Sequence, residues 1–175
     1  LPVTVKTRLS WDSESITIDK IAEPLQDTGI KALTIHGRTR TQLYKGTADW
    51  RLIGDVKNNP NIHIPIIGNG DVTDGPSAQE KIDKYGVDGI MIGRGAIGKP
   101  WVFDEIRYFL ENGEKFSDLS IEKKVEIARF HFNKSLELKE GNRGFYEMRR
   151  HFALYFKGLP DFKQIRLKLL TSMDV

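Results

Sequence analysis

Four short runs of β-branched and apolar residues recur along the first part of the chain. Each is followed by a polar or glycine-rich turn and then by a helical stretch, and this alternation limits the fold more than any other feature. The runs are Val3-Thr4-Val5-Lys6-Thr7, Ala32-Leu33-Thr34-Ile35, Ile64-Pro65-Ile66-Ile67 and Gly89-Ile90-Met91-Ile92. Between them, residues 15–27 carry Ile18, Ile21, Ala22 and Leu25 at helical spacing, with Gly29 as a stop signal. Asp49 stands where it can cap a helix containing Leu52, Ile53 and Val56. Residues 75–85, with Ala78 and Ile82 turned inward, predict another helix, ended by Gly86. Strands joined by helices of this length form parallel βαβ units. Their uniformly apolar character predicts burial on both faces.

The pattern changes after Gly98, where strand signals stop. Helices are predicted over residues 101–112, closed by Gly113, and over residues 120–140, capped by Ser120 with Ile121, Val125, Ala128 and Phe132 on one stripe. A third over residues 144–157 places Phe145, Met148, Phe152 and Tyr155 on one face, and a short one covers residues 159–170. The turn Asn112-Gly113-Glu114 divides the chain into residues 1–113 and 114–175. Charge divides in nearly the same place. Residues 1–114 hold 14 Lys and Arg against 16 Asp and Glu, whereas residues 115–175 hold 13 against 8. A basic second module suits a polyanionic partner, although the same charges also suit a solvated surface. Cysteine is absent, which excludes disulfides, thiolate metal sites and a cysteine nucleophile from these 175 residues. No apolar run reaches the roughly 18 residues of a membrane-spanning helix. The chain opens on Leu1-Pro2-Val3-Thr4-Val5-Lys6, which reads as a strand inside a fold, so a cut N-terminus is expected.

Four βα units do not close a barrel, and the loops after the strands decide what they belong to. In βα folds those loops form the active-site rim. Here they read Lys6-Thr7-Arg8, His36-Gly37-Arg38-Thr39-Arg40, Gly68-Asn69-Gly70-Asp71 and Gly93-Arg94-Gly95-Ala96. Glycine-rich turns at strand ends let backbone N–H groups approach an anion, and in (β/α)8 barrels the loops after the last two strands supply such a phosphate site. Two adjacent loops of this kind fit the phosphate of a flavin nucleotide; each glycine taken alone also fits a tight turn. Gly93-Arg94-Gly95-Ala96-Ile97-Gly98 matches the dinucleotide-binding GxGxxG pattern as well, but it follows the fourth strand rather than the first and meets Pro100 almost at once. Lys6, His36 and Arg38, staggered at neighbouring strand ends, converge on a barrel mouth. There Lys or Arg can stabilise the negative charge of a reduced flavin, and His36 can donate to the ring or to a substrate. The expected fold is α/β: the C-terminal half of a (β/α)8 TIM barrel followed by an all-α helical-bundle domain.

The ordered motifs Val5-Lys6-Thr7-Arg8, Thr34-Ile35-His36-Gly37-Arg38-Thr39-Arg40 with Tyr44-Lys45-Gly46-Thr47-Ala48-Asp49-Trp50, Ile67-Gly68-Asn69-Gly70-Asp71-Val72 and Met91-Ile92-Gly93-Arg94-Gly95-Ala96 resemble the bacterial tRNA-dihydrouridine synthases. The nearest subgroup is the B-type, often labelled nitrogen-regulation homologues. Met148-Arg149-Arg150-His151 and Tyr155-Phe156-Lys157-Gly158 resemble that family's helical-domain motif.

The resemblance implies a cytoplasmic enzyme that reduces uridine to 5,6-dihydrouridine in tRNA, with FMN as cofactor and NADPH as its reductant. It implies Lys6 and His36 at the isoalloxazine, and Asn69, Gly70, Asp71, Gly93 and Arg94 at the ribityl phosphate. Arg8, Arg38, Arg40 and Lys45 would meet the target uridine or nearby RNA, which must be extruded into the pocket. Arg149, Arg150 and Lys157 would face tRNA, with Arg150 and Lys157, seven apart, on one side of their helix. The family's catalytic cysteine lies in the other half of the barrel, so the expectation for this piece alone is inactivity. Its partners would be tRNA and the missing N-terminal half, and its open sheet edges predict self-association or altered packing of the βα units. Three other readings stand beside this one. They are an FMN barrel acting on a small molecule, as dihydroorotate dehydrogenases do, a non-catalytic RNA-binding module, and a regulatory protein.

Overall fold

The structure is a computed structural model that describes residues 1–160 and 162–172. Its elements in chain order are β1 (Val5–Arg8), α1 (Ile18–Asp27), β2 (Leu33–His36), α2 (Arg51–Lys57), β3 (Ile66–Asn69), α3 (Gly75–Tyr85) and β4 (Gly89–Met91), then α4 (Val102–Asn112), α5 (Ile121–Leu138), α6 (Arg143–Tyr155) and α7 (Lys163–Thr171). The strands form one parallel sheet in the order β1-β2-β3-β4. This is the α/β architecture that alternating strands and helices require.

The first three strands end one or two residues later than their apolar runs. Backbone ladder bonds do not depend on side-chain polarity, so pairing continues through Arg8, His36 and Asn69. Register sets Arg8 opposite His36, His36 opposite Asn69, and Asn69 opposite Met91. Only β2 is buried at every position; β1 and β4 are the edges of the sheet, and β3 is buried at alternate positions.

Helix α3 shows how local sequence sets an element. The Asp74 carboxylate accepts the Ser77 N–H at 2.9 Å, the Ser77 hydroxyl accepts the Asp74 N–H in return, and Gly86 closes the helix at φ +66°. Helix α2 begins at Arg51 with Trp50 as its cap residue, one position after the expected Asp49. The Asp49 carboxylate still accepts the Arg51 N–H at 3.0 Å.

Two compact units result. The first comprises Leu1–Gly95 and Asp104–Lys115, the second Ala96–Phe103 and Phe116–Val175. In the first, Ile18, Leu33, Ile35, Ile53, Ile66 and Ala78 have no exposed surface and form the layer between sheet and helices. In the second, Trp101 packs with Ala128, Tyr155 and Phe156, which explains why a segment ahead of the expected boundary belongs to it. Phe132 lies against Phe145 and Phe152, and Phe156 against Phe162.

Two details of the helical part differ from expectation. Ile121 is half exposed and lies off the buried stripe. Helix α6 ends at Tyr155, with Gly158 at φ +89° following, so Lys157 is outside the helix and shares no helical face with Arg150.

Candidate functional site

The polar side chains at the C-terminal ends of the strands are brought together by register. Residues paired across a parallel ladder point to the same face. Arg8, His36, Asn69 and Met91 therefore form one row, with Lys6 two residues back on the same face of β1. His36 is buried, and its pKa is held down to about 4, first by burial and then by the positive charges of Arg8, Lys6 and Arg38. It is therefore a neutral imidazole at physiological pH. The Lys6 ammonium is also shifted down, by partial burial and by Arg8. The Asn69 amide donates to the Met91 carbonyl at 2.7 Å and ties β3 to β4.

Asp71 links three loops. Its carboxylate accepts from Arg38 Nη2 at 2.8 Å and from the Ala48 N–H at 2.7 Å, and Arg94 Nη2 lies 3.4 Å away. Burial pushes the Asp71 carboxyl up, but the Arg38 and Ala48 hydrogen bonds and the two guanidinium charges outweigh it, so the net shift is down. The preceding Gly70, at φ +137°, lets the chain pass against Ala48: a Cβ there would come within 2.5 Å of the alanine methyl. The Trp50 indole N–H donates to the Gly70 carbonyl at 2.9 Å, and its ring stacks on Tyr85. The loop after β3 is thus fixed from two sides.

Arg38, expected at the substrate, is only 2% exposed and faces this network. It donates through Nη2 to Gly46 at 2.6 Å and through Nε to Lys45 at 3.2 Å, while Nη1 is buried with no partner among the described residues. Arg8 donates to the Thr39 and Leu43 carbonyls at 2.7 and 3.1 Å. Arg94 lies 4.4 Å from the centre of the exposed Tyr44 ring, and Arg8 lies 5.9 Å from it. Among the described residues, none of the backbone hydrogen bonds between loops takes up the N–H of Gly93 or Arg94. Lys45 and Arg40 are exposed.

The buried Arg38 Nη1 and the Arg94 guanidinium make this cluster rich in donors. The flanking Asp71 carboxylate is already saturated by cations and an N–H. A donor set of this composition fits a phosphate-bearing ligand.

The chain matches the family model described as dihydrouridine synthase over residues 1–173. It belongs to the dihydrouridine synthase family. Among its relatives, a probable tRNA-dihydrouridine synthase of Rickettsia conorii is 40% identical over 166 residues, covering 95% of this chain and 50% of the relative. A probable tRNA-dihydrouridine synthase 1 of Synechocystis is 41% identical over 175 residues, all of this chain and 48% of the relative. A tRNA-dihydrouridine synthase B of Shewanella oneidensis is 37% identical over 155 residues, 89% of this chain and 48% of the relative. The chain spans about half the length of these relatives. The B-type resemblance read from the loop motifs agrees with the names of the Shewanella and Proteus vulgaris relatives.

In the second unit, Arg149 is held inward. It lies over the Phe145 and Tyr146 rings at 5.0 and 4.9 Å and donates to the Ser172 carbonyl. Arg150 and Lys157 are exposed. Sequence reading missed the Asp71 hub and the exposed aromatic rings of the rim. Tyr44 in an otherwise polar loop was the available signal. Among the described residues, no helix is long and apolar enough to cross a membrane.

Proposed function

We propose that this chain is the part of a flavin-dependent tRNA-dihydrouridine synthase that grips the FMN phosphate and builds one wall of the uridine site. One observation carries the reading. The loops after β2, β3 and β4 are tied around Asp71, which sets the Arg38 and Arg94 guanidinium groups beside glycine-rich turns and leaves Arg38 Nη1 buried without an acceptor among the described residues. An anionic ligand satisfies that deficit, and the family points to FMN. When bound, FMN reduced by NADPH supplies a hydride to the uracil ring.

In this reading Gly93, Arg94, Gly70 and the N–H of Asp71 hold the phosphate, and Asn69 fixes the β3–β4 edge beneath it. Lys6 faces the electron-rich edge of the flavin as a cation. His36, kept neutral, acts as a hydrogen-bonding group rather than a second charge. Arg8, with Arg40 and Lys45 further out, lines the approach of the RNA, and Arg38 orders the rim through Asp71. Arg150 and Lys157 offer phosphate contacts on the helical domain, while Arg149 acts structurally.

The half of its relatives that this chain does not span would complete the barrel and contribute the proton-donating cysteine, a residue type this sequence lacks. The chain alone is then a catalytically incompetent flavin- and RNA-binding piece, acting with its other half in the cytoplasm where tRNA is modified.

Titration with FMN and with riboflavin, which lacks the phosphate, tests the grip. FMN should bind the chain at least about tenfold more tightly, as one or two charge-assisted hydrogen bonds imply, and Arg94→Ala should narrow the difference. Equal binding of the two flavins would contradict a phosphate site.

A further inference from the structure

The rim carries a second aromatic feature, outside the flavin cluster. Trp11 is 68% exposed, whereas the other two tryptophans, Trp50 and Trp101, are 3% and 8% exposed. The backbone that carries Trp11 is held in place on both sides. Beyond the end of β1 the backbone continues to pair with the loop after β2. The Arg40 N–H donates to Ser10 at 3.0 Å and the Thr41 N–H to Trp11 at 2.9 Å. On the other side, the Asp12 carboxylate accepts from the N–H groups of Glu14 and Ser15 at 3.1 and 2.9 Å and from the Ser15 hydroxyl at 2.7 Å. The turn that presents Trp11 is therefore braced before and after it. The exposed Arg40 guanidinium lies 6.0 Å from the centre of the Trp11 ring.

A solvent-facing indole on a braced turn, with an arginine over one side of its ring, has the composition of a single-stranded nucleic acid platform. A base stacks on the indole, and the guanidinium reaches the adjoining phosphate. Its place in the fold is specific. Ser10 and Trp11 come two and three residues after Arg8, and Arg40 comes two after Arg38 in the loop after β2, so the platform lies on the same rim as the strand-end row of Arg8 and His36. We propose that Trp11 and Arg40 form a stacking site for an unpaired nucleotide flanking the target uridine, one that holds the RNA while the target is extruded. This rests on the reading of the chain as part of a tRNA-modifying enzyme. It adds a positioning site that takes a base through its π-face rather than by sequence.

The test uses the chain itself and a short unpaired oligouridylate, with tryptophan emission as readout. Because Trp11 is the exposed tryptophan, stacking should quench the emission as RNA binds. Trp11→Ala should abolish the quenching and weaken binding about 5- to 100-fold, the range expected for loss of one base–aromatic stack. Trp11→Phe should retain most of the affinity, since any aromatic face serves. Arg40→Gln should lower the slope of log affinity against log salt by about one. If the oligonucleotide binds with unchanged emission and Trp11→Ala binds equally well, the stacking site is overturned while the RNA reading survives. If the wild-type chain binds no RNA at low salt, both fall together.

Discussion

His36 shows how much of the site's chemistry comes from burial rather than residue type. With three cations around it and little water, it stays neutral to about pH 4, against about 6.5 for a free imidazole. In the unfolded chain it takes up a proton near pH 6.5, so between pH 6.5 and 4 the unfolded state binds more protons than the folded one. Stability from this residue is thus fully present above pH 6.5 and is lost on acidification toward pH 4, by at most about 3 kcal/mol. Urea unfolding of the wild type and His36→Asn across that range should show a steeper acid loss for the wild type; parallel curves would remove His36 from the account. Sequence placed His36 at the rim but could not show its neutrality, which depends on Arg8 and Lys6 one strand away. Nor could it show the Arg38–Asp71 pair, whose partners are 33 positions apart and meet only through strand register and the loops beyond it. Asp71 was expected at the phosphate for its place in a glycine-rich turn. Its carboxylate pairs with Arg38 and Arg94 and accepts the Ala48 N–H.

At the scale of elements, signals that act through local geometry were legible and those that depend on partners were not. The limits of α3 follow from Asp74, Ser77 and Gly86, all within one turn of its ends. Gly86 has no atom within 4 Å of where a Cβ would stand, so Gly86→Ala meets only the left-handed backbone penalty. It should cost about 1 kcal/mol, read as a shift in the urea midpoint without change of slope. A much larger loss would mean that the helix end is packed more tightly than its surroundings show. The strand ends were misjudged because apolar runs mark burial, whereas ladders continue through any residue with a free backbone. This is why Arg8, His36 and Asn69 are strand residues, held more firmly than loop residues would be. The same reasoning removes Lys157 from α6. A helical spacing of seven counts only while the helix continues, and Phe156 and Gly158 end it first.

For the whole molecule, the parallel sheet is open with β1 and β4 as its edges, and the chain spans about half the length of its relatives. Exposed edges favour pairing with a complementary half or with a second copy. The loop motifs conveyed the family because they keep their order along the sequence. They were silent on how the two compact units divide, since Trp101 joins the second through packing that no local pattern announces. The central claim is that this chain supplies the flavin grip and part of the uridine site of a tRNA-dihydrouridine synthase. The most direct measurement replaces the matching half of the Synechocystis relative with this chain and determines the dihydrouridine content of tRNA after reaction with FMN and NADPH. The account predicts dihydrouridine formation that is lost in the Lys6→Ala and Arg94→Ala chimeras. A folded chimera that binds FMN yet forms no dihydrouridine, or one whose activity ignores both substitutions, would contradict it.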